Sequence, residues 1–244
     1  MTETKSSRPF LNARWEHLLM LNYRCPAEIL APLTPIGLEL DDWEGESLIS
    51  IVGFMFADTH VAGRAWPGHT AFEEVNLRFY VRRECEDQTR RGVVFIRELV
   101  PKPIIAIVAS YFYDEPYLTA AMSHESTLHP DSGGSIAYRW RLQGQQFTLG
   151  GSVSGPAKPL EGGSHAEFIT EHYWGYTRRR DGTTSEYQVS HPRWHVWDCD
   201  SACFAGAPRT LYGEAIGKLL EEPPVSALLA LGSDVTVYRG HRLS

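Results

Sequence analysis

The chain has 244 residues, 43% hydrophobic, 22% charged and 11% aromatic, which is ample material for one sizeable core. A net charge of −7 disfavours a nucleic-acid surface; the short basic runs Arg82-Arg83, Arg90-Arg91 and Arg178-Arg179-Arg180 lie beside Asp, Glu or Gly and read as solvated hairpin tips. No stretch approaches ~20 apolar residues, so no membrane span is expected, and four cysteines without a paired framework fit a reducing cytoplasm.

Residues 1–10 lack an apolar segment and read as a disordered lead-in to a single domain over 11–244. Trp15 to Tyr23 is expected as a strand. Pro26 stands where a helix favours its first residue, so Ala27 to Leu33 is expected as a brief helix stopped by Pro35. Gly37–Leu40 and Ser47–Phe54 read as strands about a turn, followed by a loop from Asp58 to Thr70 that carries Trp66.

The clearest alternation comes next. Val75, Leu77, Phe79 and Val81 share one face; Glu74, Asn76, Arg78 and Tyr80 share the other. That second face meets either water or a polar cavity. In a cavity, Arg78 and Tyr80 would hold a carboxylate or carbonyl ligand, with Asn76 and Arg97 as further binding candidates.

The strand returning through Val93 to Val100 runs into Pro101-Lys102-Pro103, and Ile104 to Phe112 reads as a buried helix. A lysine at such an apolar junction is either a neutral amine nucleophile or an ordinary snorkelling side chain. Strands around Ile136–Leu142 and Gln146–Leu149 follow, then a Gly/Ser/Pro-rich connection over Ser152–Gly163 that is expected to be mobile. Glu167–Thr177 and Thr184–Val189 flank Asp181-Gly182 as a hairpin; a helix over Tyr212–Leu220 and a strand over Asp234–Tyr238 close the chain.

Ten histidines invite a metal reading, but His172, His191 and His195 have no dedicated ligand spacing, nor have Cys199 and Cys203, and no metal is expected. A nucleophile-elbow serine, a phosphate-cradling loop and a dinucleotide fingerprint are all missing. Aromatics gather at Tyr173, Trp174, Tyr176, Trp194 and Trp197, as core or as the walls of an apolar pocket.

Together, Glu74-Val75-Asn76-Leu77-Arg78-Phe79-Tyr80-Val81, Arg97-Glu98-Leu99-Val100-Pro101-Lys102, Glu115-Pro116-Tyr117, Phe168–Tyr176 and Glu186–Trp194 resemble the bacterial YqjF-like family, itself similar to the acetoacetate decarboxylase-like superfamily. The likeness runs from Trp15 to Tyr238. It implies an α+β, β-rich fold: a cone-shaped β-barrel with an internal cavity and a few appended helices. It also implies a catalytic set of Arg14 (in Arg14-Trp15-Glu16), Glu74 (in Phe72-Glu73-Glu74) and Lys102 as Schiff-base lysine. No external cofactor is implied, since a protonated imine is its own electron sink.

Two departures bear on this. The spacing from Arg97-Glu98 to Pro101-Lys102 is shorter than in the decarboxylases, and Pro103 replaces their second lysine. Bringing a lysine from ~10.4 to about 7 takes roughly 4 to 5 kcal/mol. Only Arg97 is near enough in sequence to act as the helping cation, while Glu98 would act oppositely. The expected function is therefore binding of a small oxo-acid or carbonyl compound. The alternatives are a lyase of decarboxylase or aldolase type, and a non-catalytic interaction protein with a filled barrel. Homo-oligomerisation stays open.

Overall fold

The computed structural model describes residues 9–102 and 116–243; the helix expected after Pro103 lies outside them. Seven strands form a hydrogen-bonded ring. They are β1 (Pro9–Arg24), β2 (Glu46–Val61), β3 (Phe72–Glu84), β4 (Thr89–Val100), and then, past other elements, Trp174–Arg178, Thr184–Ser190 and Ser226–Tyr238. Between them run β5 (Tyr117–Thr119), β6 (Ala121–Ser126), β7 (Gly133–Leu142) and β8 (Gln145–Ser154), which makes the three late ring strands β9, β10 and β13; β11 is His195–Asp198 and β12 is Ser201–Ala205.

The ring order is β13-β1-β2-β3-β4-β9-β10, returning to β13 through Val189↔Val237 and Ser190↔Thr236. All its pairings are antiparallel except β4 with β9. A second sheet, β12-β8-β7-β6, packs on the outside. Among the described residues helices are few: α1 (Ala27–Leu30) with a 3-10 turn over Ala31–Leu33, α2 (His165–Thr170), and α3 (Pro208–Leu220), which is kinked at Gly213. No helix among the described residues is long and apolar enough to cross a membrane.

Strand alternation divides the interior in two. Outward-facing Val75, Leu77, Phe79 and Val81, fully buried, pack with Tyr138, Phe147 and Leu149 of the second sheet and with Leu211 and Ile216 of α3. Inward-facing Leu18, Met20, Val52, Phe54, Phe56 and Phe72 form a separate apolar cluster inside the ring. Several irregularities shift this parity, and two of them bear on the cavity. In β1, His17 takes a positive φ of 56° and the β1–β2 register slips between Glu16 and Leu19. In β4, Leu77 pairs with Arg97 but Arg78 pairs with Phe95, so Ile96 is an extra, bulged residue.

The structure departs from the sequence expectations in several places: the loop expected over Asp58–Thr70 is strand as far as Val61 and again at Arg64–Ala65. The run Glu167–Thr177 is not a single strand: α2 occupies its first part and β9 only Trp174–Arg178. Ser164 caps α2, its hydroxyl accepting from the Glu167 backbone N–H at 3.1 Å, and Glu167 in turn accepts from the Gly163 N–H at 2.6 Å. The Ser164-x-x-Glu167 spacing is the signature of a capped helix start. The connection over Ser152–Gly163 is also more ordered than expected: β8 continues to Ser154, and Lys158–Pro159 pairs with β11.

Candidate functional site

Inside the ring lies a cavity of about 610 Å³, within the size range of small-molecule sites. Its walls are aromatic and aliphatic, with Trp15, Phe54, Phe56, Phe72, Phe95 and Trp194 the bulkiest. Trp15 and His191 both lean on Trp194, with ring centroids 6.3 and 4.1 Å away. At one end the loop after β2 brings Arg64, His69 and a solvent-exposed Trp66 to the lining, which marks the mouth.

The polar groups sit deeper, and β3 delivers three of them because its residues 74, 76 and 78 share the inward face. The Asn76 Nδ2 donates to Glu74 Oε1 at 3.0 Å, and the Tyr117 hydroxyl approaches Glu74 Oε2 at 3.4 Å. Burial raises the Glu74 carboxyl to about 7, outweighing those two hydrogen bonds and the nearby charge of Arg78, which pull it down. A carboxyl poised near neutrality inside an apolar cavity is suited to holding and transferring a proton.

Arg78 is the deeper cation of this cavity, Arg64 lying at the mouth. Its Nη2 donates to the Ile169 carbonyl at 3.2 Å and touches the Met20 sulfur at 3.8 Å, while its Nε is buried without an acceptor. No carboxylate lies within 4 Å of it among the described residues. The guanidinium is half-buried, and its carbon lies 5.7 Å from the centroid of the Tyr80 ring.

The floor is a packed aromatic and polar layer. Tyr80 directs its hydroxyl to Ser50 at 2.5 Å, and Ser50 donates to Asn22 at 2.6 Å. His172 packs on the Tyr80 ring at 4.7 Å and lines the cavity. Its Nε2 lies 3.6 Å from Asp41 Oδ2, an electrostatic contact rather than a full hydrogen bond. Burial brings His172 down to about 4, so it is neutral at physiological pH. Asp41 is itself buried, which acts to raise it, yet His172 and Arg91, the latter at 2.6 Å, hold it below the ordinary carboxylate range.

Of the residues singled out from sequence, the fold brings Glu74, Asn76 and Arg78 together on the cavity wall. Tyr80 lies beneath, its hydroxyl engaged by Ser50. Arg14 is elsewhere. It alternates with inward-facing Ala13 and Trp15, projects outward, and pairs with Glu16 at 2.6 Å and Asp58 at 3.0 Å. Arg97 is also on the outer face, and the bulge is the reason. Counted from the hairpin tip, where Glu84 pairs with Thr89, Asn76 would face Arg97; the extra residue puts Glu98 opposite Asn76 instead, buried and on the cavity lining. Lys102 is half-buried at the edge of the described residues and is not part of the described lining.

Glu98, His172 and His191 were not read as site residues from sequence. A β-bulge has no reliable sequence mark, and His172 reaches the cavity only because α2 turns the chain under the ring.

The fold is shared with proteins of known structure. An acetoacetate decarboxylase-like enzyme from Sphingomonas wittichii RW1 superposes with a TM-score of 0.67 over 100% of this chain and 97% of its own, at 15% identity. The acetoacetate decarboxylase of Legionella pneumophila gives 0.65 at 14% identity, over 98% and 88% of the two chains. The enduracididine biosynthesis enzyme MppR, solved in complex with pyruvate, gives 0.67 at 14% identity, over 99% and 93%. In sequence, the uncharacterized protein YqjF of Bacillus subtilis is 27% identical over 187 residues, 73% of this chain and 72% of that protein. The family model of the uncharacterized conserved proteins DUF2071 matches residues 12–234. With nearly its whole length so matched, the chain belongs to the DUF2071 family.

Proposed function

We propose that the ring is a cone-shaped β-barrel whose cavity binds a small organic anion bearing a carbonyl group, an oxo acid. Arg78 is the observation that carries this: a half-buried guanidinium on the cavity wall, with apolar side chains around it and no carboxylate partner among the described residues. The ligand's carboxylate takes the open side of Arg78. Its carbonyl oxygen lies toward Glu74, which near neutral pH still holds a proton for part of the time and donates it. Asn76 keeps that carboxyl in place. The aromatic walls accept a short apolar tail. The pyruvate bound to the structural neighbour MppR supports this ligand class.

Calorimetric titration with 2-oxo and 3-oxo acids, each beside its neutral methyl ester, tests the reading. Acids are expected to bind and esters not, and Arg78→Met is expected to weaken the acids by roughly tenfold or more, the scale of a hydrogen bond to a charged group. Equal binding of acid and ester, or unchanged affinity in Arg78→Met, overturns it. Borohydride reduction of the same mixtures tests imine chemistry. The described lining contains no lysine, so no mass adduct is expected; an adduct mapped to Lys102 would make the protein a lyase of the decarboxylase or aldolase type.

A further inference from the structure

The bulge that turns Glu98 into the barrel turns Arg97 out of it, into a second and smaller cavity of about 250 Å³. This one lies between β4, the second sheet and α3. Leu118, Leu142, Phe147 and Leu211 line its apolar part, with Gln143 and Thr210 as polar neighbours.

Three hydrogen-bond donors have nothing to donate to: one on Arg97 in its lining, and two on Tyr212 and Trp140, neighbours of the lining residues Leu211 and Phe147. The Nε of Arg97 is shut off from solvent without an acceptor, and Arg97 has no hydrogen bond or ion pair with any described residue. Tyr212, next in sequence to the lining residue Leu211 and more than nine-tenths buried, leaves its hydroxyl without a partner. The charge of Arg97 reaches that phenol, acting against the upward push of burial. Trp140, stacked on the lining residue Phe147 at 5.4 Å, buries its indole N–H in the same condition. The Thr210 hydroxyl, by contrast, is spent on the Ala207 carbonyl at 2.7 Å.

Buried donors in native proteins are almost always satisfied. A cluster of donors around a cation, with no acceptor engaged among the described residues, has a chemical complement: a group rich in acceptors, poor in donors and negatively charged. The cavity is smaller than the ~300 to 1,000 Å³ of drug-sized sites, so that group has few heavy atoms. We propose that this pocket is a second binding site, for a small oxyanion of the phosphate or carboxylate type, held by the planar fork of Arg97 with the Tyr212 hydroxyl as a further donor. It is independent of the oxo-acid cavity, from which the thickness of one strand separates it.

The test uses the full chain. Inorganic phosphate and malonate are titrated separately at constant ionic strength, with melting temperature and the side-chain N–H resonances of Arg97 and Trp140 as readouts. Melting temperature is expected to rise with at least one anion, in the native chain and in Arg78→Met alike, and the Arg97 and Trp140 resonances are expected to move. The rise is expected to vanish in Arg97→Met. Tyr212→Phe, which keeps the volume, is expected to weaken the anion roughly tenfold. Phosphate acting alone identifies a phosphate guest, and malonate acting alone an organic acid. No rise and no resonance shift with either anion overturns the proposal. So does an effect that survives in Arg97→Met, or, should that variant not fold, one that is undiminished in Tyr212→Phe.

Discussion

Along β3, neighbouring residues face different surroundings. Val75, Leu77, Phe79 and Val81 point outward into a space filled by the second sheet and α3, while Glu74, Asn76 and Arg78 point inward to a cavity left unfilled. Glu74 and Asn76 are as buried as the outward residues, with Arg78 half-buried, so exclusion from bulk water does little to distinguish the faces. The outer face is apolar and closely packed, which is where stability resides. The inner face carries a hydrogen-bonded carboxyl beside an amide oxygen of Asn76 and an Nε of Arg78 that have no partner, a cost to stability that the outer face does not bear.

The largest expected effect is on the filled face. Leu77→Ala removes a fully buried side chain and is expected to cost about 2 to 5 kcal/mol in urea unfolding. Asn76→Ala, one residue away but beside the cavity, is expected to cost only about 1 kcal/mol, the scale of one hydrogen bond. Equal losses at the two positions would break the distinction between the faces.

Next is pH dependence on the cavity face. Glu74 titrates near 7 in the fold against an ordinary value of 4.5 when unfolded. The native state therefore keeps a proton that the unfolded chain gives up between those values, so stability is fully present below 4.5 and declines as pH rises through 7. At ~1.4 kcal/mol per pH unit the loss is up to about 3 kcal/mol. Glu74→Gln has no such proton to lose. Denaturation of both chains at about pH 5 and about pH 8 is expected to show the native protein losing stability relative to Glu74→Gln; parallel curves would mean that the carboxyl is ionised normally.

A smaller effect sharpens the comparison from the other side. Gly53 stands where a Cβ would lie 2.6 Å from a Tyr138 ring carbon and 3.0 Å from a Leu149 methyl. Tyr138 cannot swing away freely, because its hydroxyl donates to the His17 carbonyl at 2.8 Å. Gly53→Ala is expected to destabilise by about 1 to 3 kcal/mol through overpacking, with oxo-acid affinity unchanged. A neutral or stabilising result would mean that the outer face has slack.

Much of this architecture is legible in one dimension. The alternation over residues 74–81 identifies β3 and groups Glu74, Asn76 and Arg78 on one side, because the pleat has a period of two. Asp181-Gly182 marks the β9–β10 hairpin, and Gly182 there has a φ of 83°. Pro26 and Pro35 bracket α1 and its 3-10 turn. Local chemistry dictates each of these. The Ser164-x-x-Glu167 cap was equally legible and argues for α2 where apolar content suggests a strand.

What the chain order alone leaves undecided is parity across irregular strands, and so which side chains meet. Arg14 and Arg97 carry the chemistry of an anion site, yet both point outward: Arg14 by plain alternation with Ala13 and Trp15, Arg97 because of one bulged residue at Ile96. Whether the polar side of β3 faces water or a cavity is likewise undecided locally, since either is compatible with the same alternation. Ring closure through two residue pairs between β10 and β13 settles that, and α2 then carries His172 beneath the ring to face residues nearly a hundred positions earlier. Most strands, the turns and the sharing of a face by Glu74, Asn76 and Arg78 follow from local order, because backbone sterics and pleat geometry act over a few residues. That this face encloses a cavity, and that Glu98 rather than Arg97 completes it, depends on register and closure between partners far apart in the chain.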